Sequence, residues 1–304
     1  MNDSMLSVRV ACRASALAMW LVATGMPIAA RADAPQTVYF PSDDGKTELV
    51  GYLFEPIGPA RHPAIVMLHG RGGPYSINFS RGCTMVGRRV QSPCSAATLS
   101  KRHQMWGEYW VEHGYVALLV DSFGPRGRGH GYARGSHNDP DREEVNEQTV
   151  RPLDAEGALT YLRKRSNVQP NRIMIQGWSN GASTTLNVME RQAQAGPNPD
   201  RPHFRAALVF YPGCGPAALL SQHYRADTDI LAFLGSDDEE VSSTTCAEVL
   251  RAATTSHGRI EVVWYQGATH DFDDPGRKRQ SIPANRAAKY DAMRRSVALF
   301  EMLP

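Results

Sequence analysis

The stretch that most constrains this chain is residues 172–183, where a short apolar run meets a Gly-x-Ser-x-Gly pattern and small residues follow. The pattern places Gly177 and Gly181 two positions on either side of Ser179. A strand that enters a helix through so tight a turn strains the backbone of the central residue, and the flanking glycines leave the turn room to pack. The helix N-terminus beneath that residue favours developing negative charge. We interpret Ser179 as a nucleophile. So short a pattern also arises by chance, and the interpretation therefore depends on its context.

That context is an alternation of strand-like and helix-like segments from residue 64 onward. An alternation of this kind predicts an α/β fold, with a mostly parallel central sheet and helices on both faces. Two earlier segments, 37–40 and 49–54, predict an antiparallel hairpin at one edge. The 304 residues are 42% apolar and 21% charged, as in ordinary globular proteins, and no linker or repeat divides residues 33–304. The predicted strands are 64–68, 115–120, 172–178, 204–211, 230–234 and 260–265, and the predicted helices are 99–112, 151–165, 180 onward, 244–255 and 284–303.

The first 32 residues are typical of an export signal. Arg9 and Arg13 flank the start of an apolar run that Pro27 interrupts, and the run closes on a small-x-small site ending at Ala32. We expect cleavage after Ala32, with residues 33–304 forming a single exported domain that is periplasmic or secreted and has no stable membrane span. An uncleaved N-terminal anchor is the competing interpretation. Cleavage removes three arginines and one aspartate, which leaves 30 basic and 30 acidic residues and no basic excess for binding nucleic acid.

The cysteine count agrees with export. Cys12 leaves with the signal, and four cysteines remain. An even number in an exported protein predicts two disulfides, for which three pairings are possible. We favour Cys83 with Cys94, which closes a short loop, and Cys214 with Cys246, which ties two loops at one end of the sheet. A zinc site is the alternative, although no Cys-x-x-Cys spacing supports it.

A serine needs a base, and the base needs a carboxylate to orient it. In a parallel sheet all three side chains project from the carboxyl ends of strands. Two aspartates follow the strand 230–234, and we prefer Asp238 to Asp237, although either could cap the next helix. His270 follows the last strand and is our predicted base. His69, which follows the first buried strand, is its rival, and its place before a glycine run suits a structural role.

Residues 69–74 form a glycine-rich loop after the strand 64–68. Its backbone amides could supply half of an oxyanion hole, and a plain turn is the alternative. We assign the donor to Arg71, with Gly72 in reserve, and the second donor to the amide of Asn180. We also expect Gly72 and Trp178 to contact the substrate.

Two long loops, 75–100 and 122–150, are expected to shape the pocket. Residues 75–100 have no clear period, and residues 124–138 are rich in glycine, arginine and histidine, which favours a mobile loop over the site. Arg126, Arg128 and Arg134 could bind an anionic group of the substrate there, or they could simply form a solvated loop face.

The order Ser179, Asp238, His270 is that of α/β-hydrolases. Together with residues 63–70, 120–127, 154–162 and 267–272, it makes nearly all of the mature chain resemble a secreted member of the dienelactone hydrolase family. True dienelactone hydrolases use a cysteine nucleophile, whereas position 179 is serine, so the chain is similar to a serine member of the family. The resemblance therefore implies an α/β-hydrolase fold and a general carboxylic ester hydrolase, and it does not carry the dienelactone substrate over.

The expected reaction is acyl transfer from a small-molecule ester through an acyl-enzyme, which requires no metal and no organic cofactor. A serine peptidase or an acyltransferase would share the same three residues. A non-catalytic binding protein that keeps the fold is a further alternative. The sequence predicts neither the acyl and alcohol parts of the substrate nor the oligomeric state.

Overall fold

The continuous apolar runs of the sequence form the inner strands of one eight-stranded sheet. The structure is a computed structural model, and it describes Met1 and residues 35–136, 139–196, 198 and 201–303. The elements in chain order are β1 (Gln36–Pro41), β2 (Glu48–Phe54), β3 (His62–Leu68), α1 (Ile77–Ser80), α2 (Lys101–Glu112), β4 (Val116–Asp121), α3 (Arg151–Arg163), β5 (Val168–Trp178), α4 (Asn180–Ala195), β6 (Ala206–Phe210), β7 (Arg225–Ala226), β8 (Asp229–Gly235), α5 (Ser243–Arg251), β9 (Thr254–Thr255), β10 (Ile260–Tyr265), α6 (Arg277–Gln280) and α7 (Pro283–Glu301).

The strand order across the large sheet is β1-β2-β4-β3-β5-β6-β8-β10. Strand β2 runs antiparallel to both of its neighbours, and every other pair is parallel. The predicted hairpin and the predicted mostly parallel sheet are thus confirmed. Because the strands from β3 onward share one direction, their carboxyl ends lie at one edge, which is where ligands bind in sheets of this kind.

Two apolar layers cover the sheet, one on each face. One layer packs α3, α4 and α5 against the sheet, and the other packs α2 and α7. The central strands are buried on both faces, so their sequences lack the polar alternation of a half-exposed strand. This double burial makes β3 and β5 rigid supports for the loops at their ends.

Two disulfides join loops to the domain. Cys83 pairs with Cys94 at a Cα–Cα distance of 5.8 Å, and Cys214 pairs with Cys246 at 4.9 Å. Both predicted pairings are confirmed. The second disulfide links the loop after β6 to α5, so it fastens a segment beside the carboxyl edge of the sheet.

The described residues from 35 onward belong to one compact unit. The predicted signal segment, apart from Met1, and its cleavage point after Ala32 lie outside the described residues and stay a prediction. Among the helices that the structure describes, none combines the length and the apolar character needed to cross a membrane.

Candidate active site

The turn between β5 and α4 has the strained geometry that the sequence predicts. Ser179 has φ 51° and ψ −117°, a region that non-glycine residues rarely adopt. Such strain costs about 1–3 kcal/mol and persists only where the surroundings enforce it. The Ser179 amide donates to the carbonyl of Phe210 at 2.9 Å, and a Cβ added at Gly177 would lie 2.2 Å from the Gly181 carbonyl oxygen. The glycines are therefore required by close backbone contact, and the serine is left at the apex.

His270 and Asp238 meet at the carboxyl ends of β8 and β10. The imidazole Nδ1 lies 2.8 Å from Asp238 Oδ2, and the two side chains are 2% and 1% exposed. The other carboxylate oxygen, Oδ1, accepts the amides of Glu240 and Val241 at 2.8 and 2.9 Å. Asp237 is exposed and accepts the Ser236 hydroxyl instead. The carboxylate that orients His270 is thus the one that we preferred, and it leaves Nε2 as the free edge of the ring.

The nucleophile turn and the His270 loop are brought together by Tyr211. Its ring centroid lies 4.6 Å from that of His270, and the residue before it, Phe210, accepts the Ser179 amide. Tyr211 itself has φ 42°. Ser179 Oγ makes no hydrogen bond to another described residue, so the contact between the hydroxyl and the imidazole is not formed in this structure. Apo sites often tighten such contacts only when the substrate binds.

The loop after β3 lies against the nucleophile turn. A Cβ added at Gly70 would lie 3.3 Å from the Trp178 carbonyl oxygen and 3.4 Å from the Ser179 Cβ. The next residue is Arg71, whose carbonyl accepts the Tyr132 amide at 2.8 Å. On the other side of Ser179, Asn180 is the first residue of α4, so its amide has no partner within the helix. Gly70, which precedes Arg71, and Asn180, at the start of α4, thus both lie next to the serine.

The Arg71 side chain forms a charged bridge beside His270. Its guanidinium bonds both carboxylate oxygens of Glu240, the closest pair at 2.9 Å, and Arg134 reaches the same carboxylate at 2.9 Å. Glu240 Oε2 in turn lies 3.9 Å from His270 Nε2. This bridge covers the free edge of the imidazole, which explains why His270 is so little exposed. Glu240 could not be identified from the sequence, because its role depends on contacts between three separate loops.

The sequence profile of the dienelactone hydrolase family matches residues 99–303. The chain belongs to the dienelactone hydrolase family. The matched region contains Ser179, Asp238 and His270, whereas the loop that carries Arg71 lies before it. Membership makes the protein a hydrolase of the carboxylic ester type.

Solved structures show the same fold. A dienelactone hydrolase-like promiscuous phosphotriesterase, P91, from metagenomic libraries is 17% identical, with a TM-score of 0.60 over 89% of this chain and 99% of that chain. Esterase 2 of Thermogutta terrifontis in its apo form is 18% identical, with a TM-score of 0.59 over 89% of this chain and 96% of that chain. The same esterase, phosphorylated by paraoxon, is 19% identical, with a TM-score of 0.57 over 85% of this chain and 92% of that chain. These likenesses confirm the α/β-hydrolase fold.

Two side chains that we expected to contact substrate are structural in this family member. Arg126 bonds both oxygens of Asp154 at 2.8 Å, and Asp154 is fully buried. Trp178 is also fully buried and donates its indole N–H to Asp273 at 2.8 Å. Both expectations were wrong, because each polar group is already satisfied inside the protein. Gly72, by contrast, is exposed, and a Cβ there would meet no atom within 4 Å.

The loop 124–138, which we expected to be mobile, is hydrogen-bonded to neighbouring loops in its described part, 124–136. The Gly129 amide donates to the Thr84 carbonyl at 2.8 Å, and the Tyr132 amide donates to Arg71. Arg128 pairs with Asp141 rather than facing the site. Of the three arginines in question, only Arg134 reaches the charged bridge beside His270.

His69 has the structural role that its place before the glycines suggested. It is fully buried, its Nδ1 lies 2.7 Å from the Gly70 carbonyl, and its Nε2 accepts the Ser122 amide at 3.4 Å. Burial holds the pKa of His69 well below its ordinary value, and the nearby charge of Arg151 adds to this effect. Both ring nitrogens face backbone groups, so His69 does not compete with His270 as a base.

A buried carboxylate behind the site was missed by the sequence analysis. Asp273, three residues after the predicted base, accepts the indoles of Trp106 and Trp178 at 2.8 Å each and the hydroxyl of Tyr211 at 2.5 Å. Burial raises the pKa of Asp273, whereas Arg102 opposes that rise. Asp273 therefore ties the end of β5, the end of β6 and the loop of the base to one another. In the sequence Asp273 is one of three aspartates between positions 271 and 274, and nothing local distinguishes it from the other two.

Among the residues that the structure describes, one group of side chains has ligand atoms close enough to hold a metal ion. Atoms of Glu240, His270 and Asp271 lie within 4.8 Å of one another. Each is already engaged: Glu240 with Arg71, His270 with Asp238, and Asp271 with Arg102 at 2.7 Å. Ion pairs account for this grouping, which therefore carries no argument for a metal.

Proposed function

We propose that the protein is a serine carboxylic ester hydrolase in which Ser179, His270 and Asp238 act together through an acyl-enzyme. The observation that carries this proposal is the buried 2.8 Å contact between His270 Nδ1 and Asp238, at the same edge of the sheet as a serine with φ 51°. A buried carboxylate fixes the tautomer in which Nδ1 carries the proton, so Nε2 is available as the acceptor.

In the first step His270 Nε2 takes the hydroxyl proton as Ser179 Oγ attacks the ester carbonyl. The tetrahedral oxyanion is held by the backbone amides of Asn180 and Arg71, and one such donor is typically worth ~2.7–4 kcal/mol. The imidazolium returns the proton to the alcohol as the acyl–oxygen bond breaks. Water then attacks the acyl-enzyme, with His270 again as the base, and the acid leaves.

The Glu240 carboxylate lies 3.9 Å from His270 Nε2, so the charged bridge of Arg71 and Glu240 borders the approach of a substrate to that nitrogen. Membership of the dienelactone hydrolase family supports a small-molecule ester as the substrate.

The two disulfides and the N-terminal apolar run support export as part of the proposal. Sequencing the N-terminus of the exported protein tests it, and a chain that still begins at Met1 would contradict cleavage.

The test of the proposed chemistry combines turnover with covalent trapping. We expect the purified protein to hydrolyse p-nitrophenyl esters and to lose nearly all of this activity in Ser179→Ala. Ser281→Ala, at an exposed serine, is the matched control and should keep full activity. Paraoxon, which phosphorylates the Thermogutta esterase, should add a diethyl phosphoryl group at Ser179. A hydrolytically active Ser179→Ala protein, or an adduct on another residue, would contradict the proposal.

Parallel assays separate the competing reactions. An aminoacyl anilide tests peptidase activity, and an added alcohol acceptor tests acyl transfer, since only the bond cleaved or the acceptor differs. A wild-type protein that binds neither paraoxon nor a fluorophosphonate and turns over no ester would instead favour a binding protein.

A further inference from the structure

Arg151 is a buried cation for which the reaction described above has no use. It is the first residue of α3, and its side chain is fully buried. Each of these positions destabilises a positive charge, because a helix N-terminus repels it and burial removes its hydration. Burial lowers the pKa of Arg151 to about 10, so the side chain stays charged at neutral pH. A cation in such a place calls for specific partners.

Its two terminal nitrogens reach the two halves of the predicted oxyanion hole. Nη1 donates to the side-chain Oδ1 of Asn180, and Nη2 donates to the carbonyl oxygen of His69 at 2.8 Å. The guanidinium also lies 4.9 Å from the centroid of the Phe123 ring. Asn180 follows the nucleophile and supplies one backbone donor. His69 lies two residues before Arg71, which supplies the other.

The two halves belong to the start of α4 and the loop after β3, and the strands that lead into them, β5 and β3, are paired only as far as Gly177 and Leu68. The turn at α4 touches the end of β3 directly at Gly181, where an added Cβ would lie 2.1 Å from the Leu68 carbonyl oxygen. That contact prevents the two segments from coming closer together. Beyond the last pair of β3 and β5, Leu68 with Gly177, the ladder no longer holds the two segments together, and there the planar guanidinium of Arg151 joins them because it donates in two directions at once.

We propose that Arg151 is a positioning residue that holds the amides of Asn180 and Arg71 at the separation needed to bind the oxyanion. The inference rests on the proposed function. Arg151 itself touches neither the substrate nor Ser179 in this role, and it acts through the backbone segments that carry the donors. Its removal should therefore weaken binding of the transition state more than binding of the ester.

The test replaces Arg151 by Lys, which keeps the charge, and by Met, which removes it. A misplacement of about 1 Å costs ~10²-fold in rate, so we expect kcat for a p-nitrophenyl ester to fall about 10- to 100-fold in both variants. KM should stay within about threefold. Arg165→Met is the matched control, since Arg165 follows the opposite end of α3 and pairs with Glu55 at 2.7 Å. It should lower the melting temperature without lowering kcat, when rates are normalised to the sites that a fluorophosphonate titrates.

A trifluoromethyl ketone supplies a readout that a purely structural role would not change. It adds to the serine as a tetrahedral oxyanion, so its affinity should fall by the same factor as kcat/KM in the Arg151 variants. If Arg151→Lys and Arg151→Met keep wild-type kcat and inhibitor affinity, the proposal is wrong. If Arg151→Lys matches the wild type and only Arg151→Met loses activity, the positive charge alone is sufficient, and the proposal is again wrong.

A second variant covers the case in which Arg151→Met does not fold. Asn180→Ala keeps the backbone donor but loses the Oδ1 acceptor of Arg151. We expect it to lower kcat, and we expect Arg151→Lys to add less than its own factor when the two are combined. Fully multiplicative effects would contradict the link between the two side chains. A wild-type protein inactive on all esters would instead contradict the proposed function, so the two failures are distinguishable.

Discussion

Replacing Gly181 by Ala tests how closely the nucleophile turn must approach β3. The added Cβ would lie 2.1 Å from the Leu68 carbonyl oxygen and 2.5 Å from that of His69, whereas ordinary contact begins near 3.4 Å. Both are backbone atoms at the end of a strand that is paired on both sides, so they cannot rotate away. The start of α4 must therefore withdraw by roughly 1 Å.

The displaced segment carries the amide of Asn180, the residue just before Gly181. A misplacement of about 1 Å typically lowers rate ~10²-fold, close to the loss of a whole oxyanion donor at ~2.7–4 kcal/mol. Stability should also fall, because overpacking costs about 1–3 kcal/mol. Alanine gains about 1 kcal/mol over glycine in helix propensity, which offsets only part of that cost. We expect the loss of activity to exceed the loss of stability.

The assay is kcat for a p-nitrophenyl ester, normalised to titrated sites, together with a thermal melt. Gly215→Ala is the control, since a Cβ there meets no atom within 4 Å and Gly215 lies in the loop after β6. It should change neither kcat nor the melting temperature appreciably. A Gly181→Ala protein with kcat within twofold of wild type would falsify the claim that this backbone contact sets the position of the donor.

Other consequences can be measured on the same protein. Burial lowers the pKa of His103 to about 3. Below about pH 6.5 this imidazole is therefore protonated in the unfolded state while it stays neutral in the folded state. His103 alone should therefore lower the free energy of unfolding by ~1.4 kcal/mol per pH unit as the pH falls from 6 to 4 in urea titrations. Buried His69 should add to this slope, and His103→Gln should remove only the part that belongs to His103. Replacing Cys214 and Cys246 together by Ser opens a loop of 32 residues and should cost about 3–4 kcal/mol of stability by chemical denaturation. Arg126→Leu leaves the buried Asp154 unpaired, so it should destabilise by about 3–5 kcal/mol while the ratio of kcat/KM for anionic and neutral esters stays unchanged.

The parts of the fold that could be predicted are those that depend on local pattern. Continuous apolar runs identified the buried strands, and the order of strands and helices implied a mostly parallel sheet. Because such a sheet collects its carboxyl ends at one edge, Asp238 and His270 could be paired from their positions alone. The observed 2.8 Å contact between their side chains agrees with that reasoning.

Trp178 was expected to contact the substrate, although the alternation of side chains along β5 could have predicted that it is buried. Side chains alternate between the two faces of a strand, and Met174 and Trp178 of β5 share a parity. Both belong to the layer covered by α2 and α7, while Ile173 and Ile175 belong to the other. Strand parity would have placed the indole in the core, although it stands next to the nucleophile in sequence.

Arg126 could not have been placed in the same way. Its partner, Asp154, lies on α3, and nothing local says which helix packs beside the loop after β4. A glycine- and arginine-rich loop has the same composition whether its cations face water, a substrate or a buried carboxylate. Only the tertiary arrangement distinguishes these cases, and the same holds for the bridge between Arg71 and Glu240.

Buried charge is concentrated where the loops of the site meet, and this placement explains how irregular segments hold a strained serine. Asp273 gathers donors from three elements, while Arg102 pairs with Asp271, which has φ 58°. Hydrogen bonds to charged groups are strong in a low dielectric, and an unmade one there is expensive. A loop that moved would leave such a charge without its partner. The buried charges therefore hold the loops around Ser179 in one arrangement. Burying them lowers the overall stability of the protein, but it keeps the geometry of the site fixed.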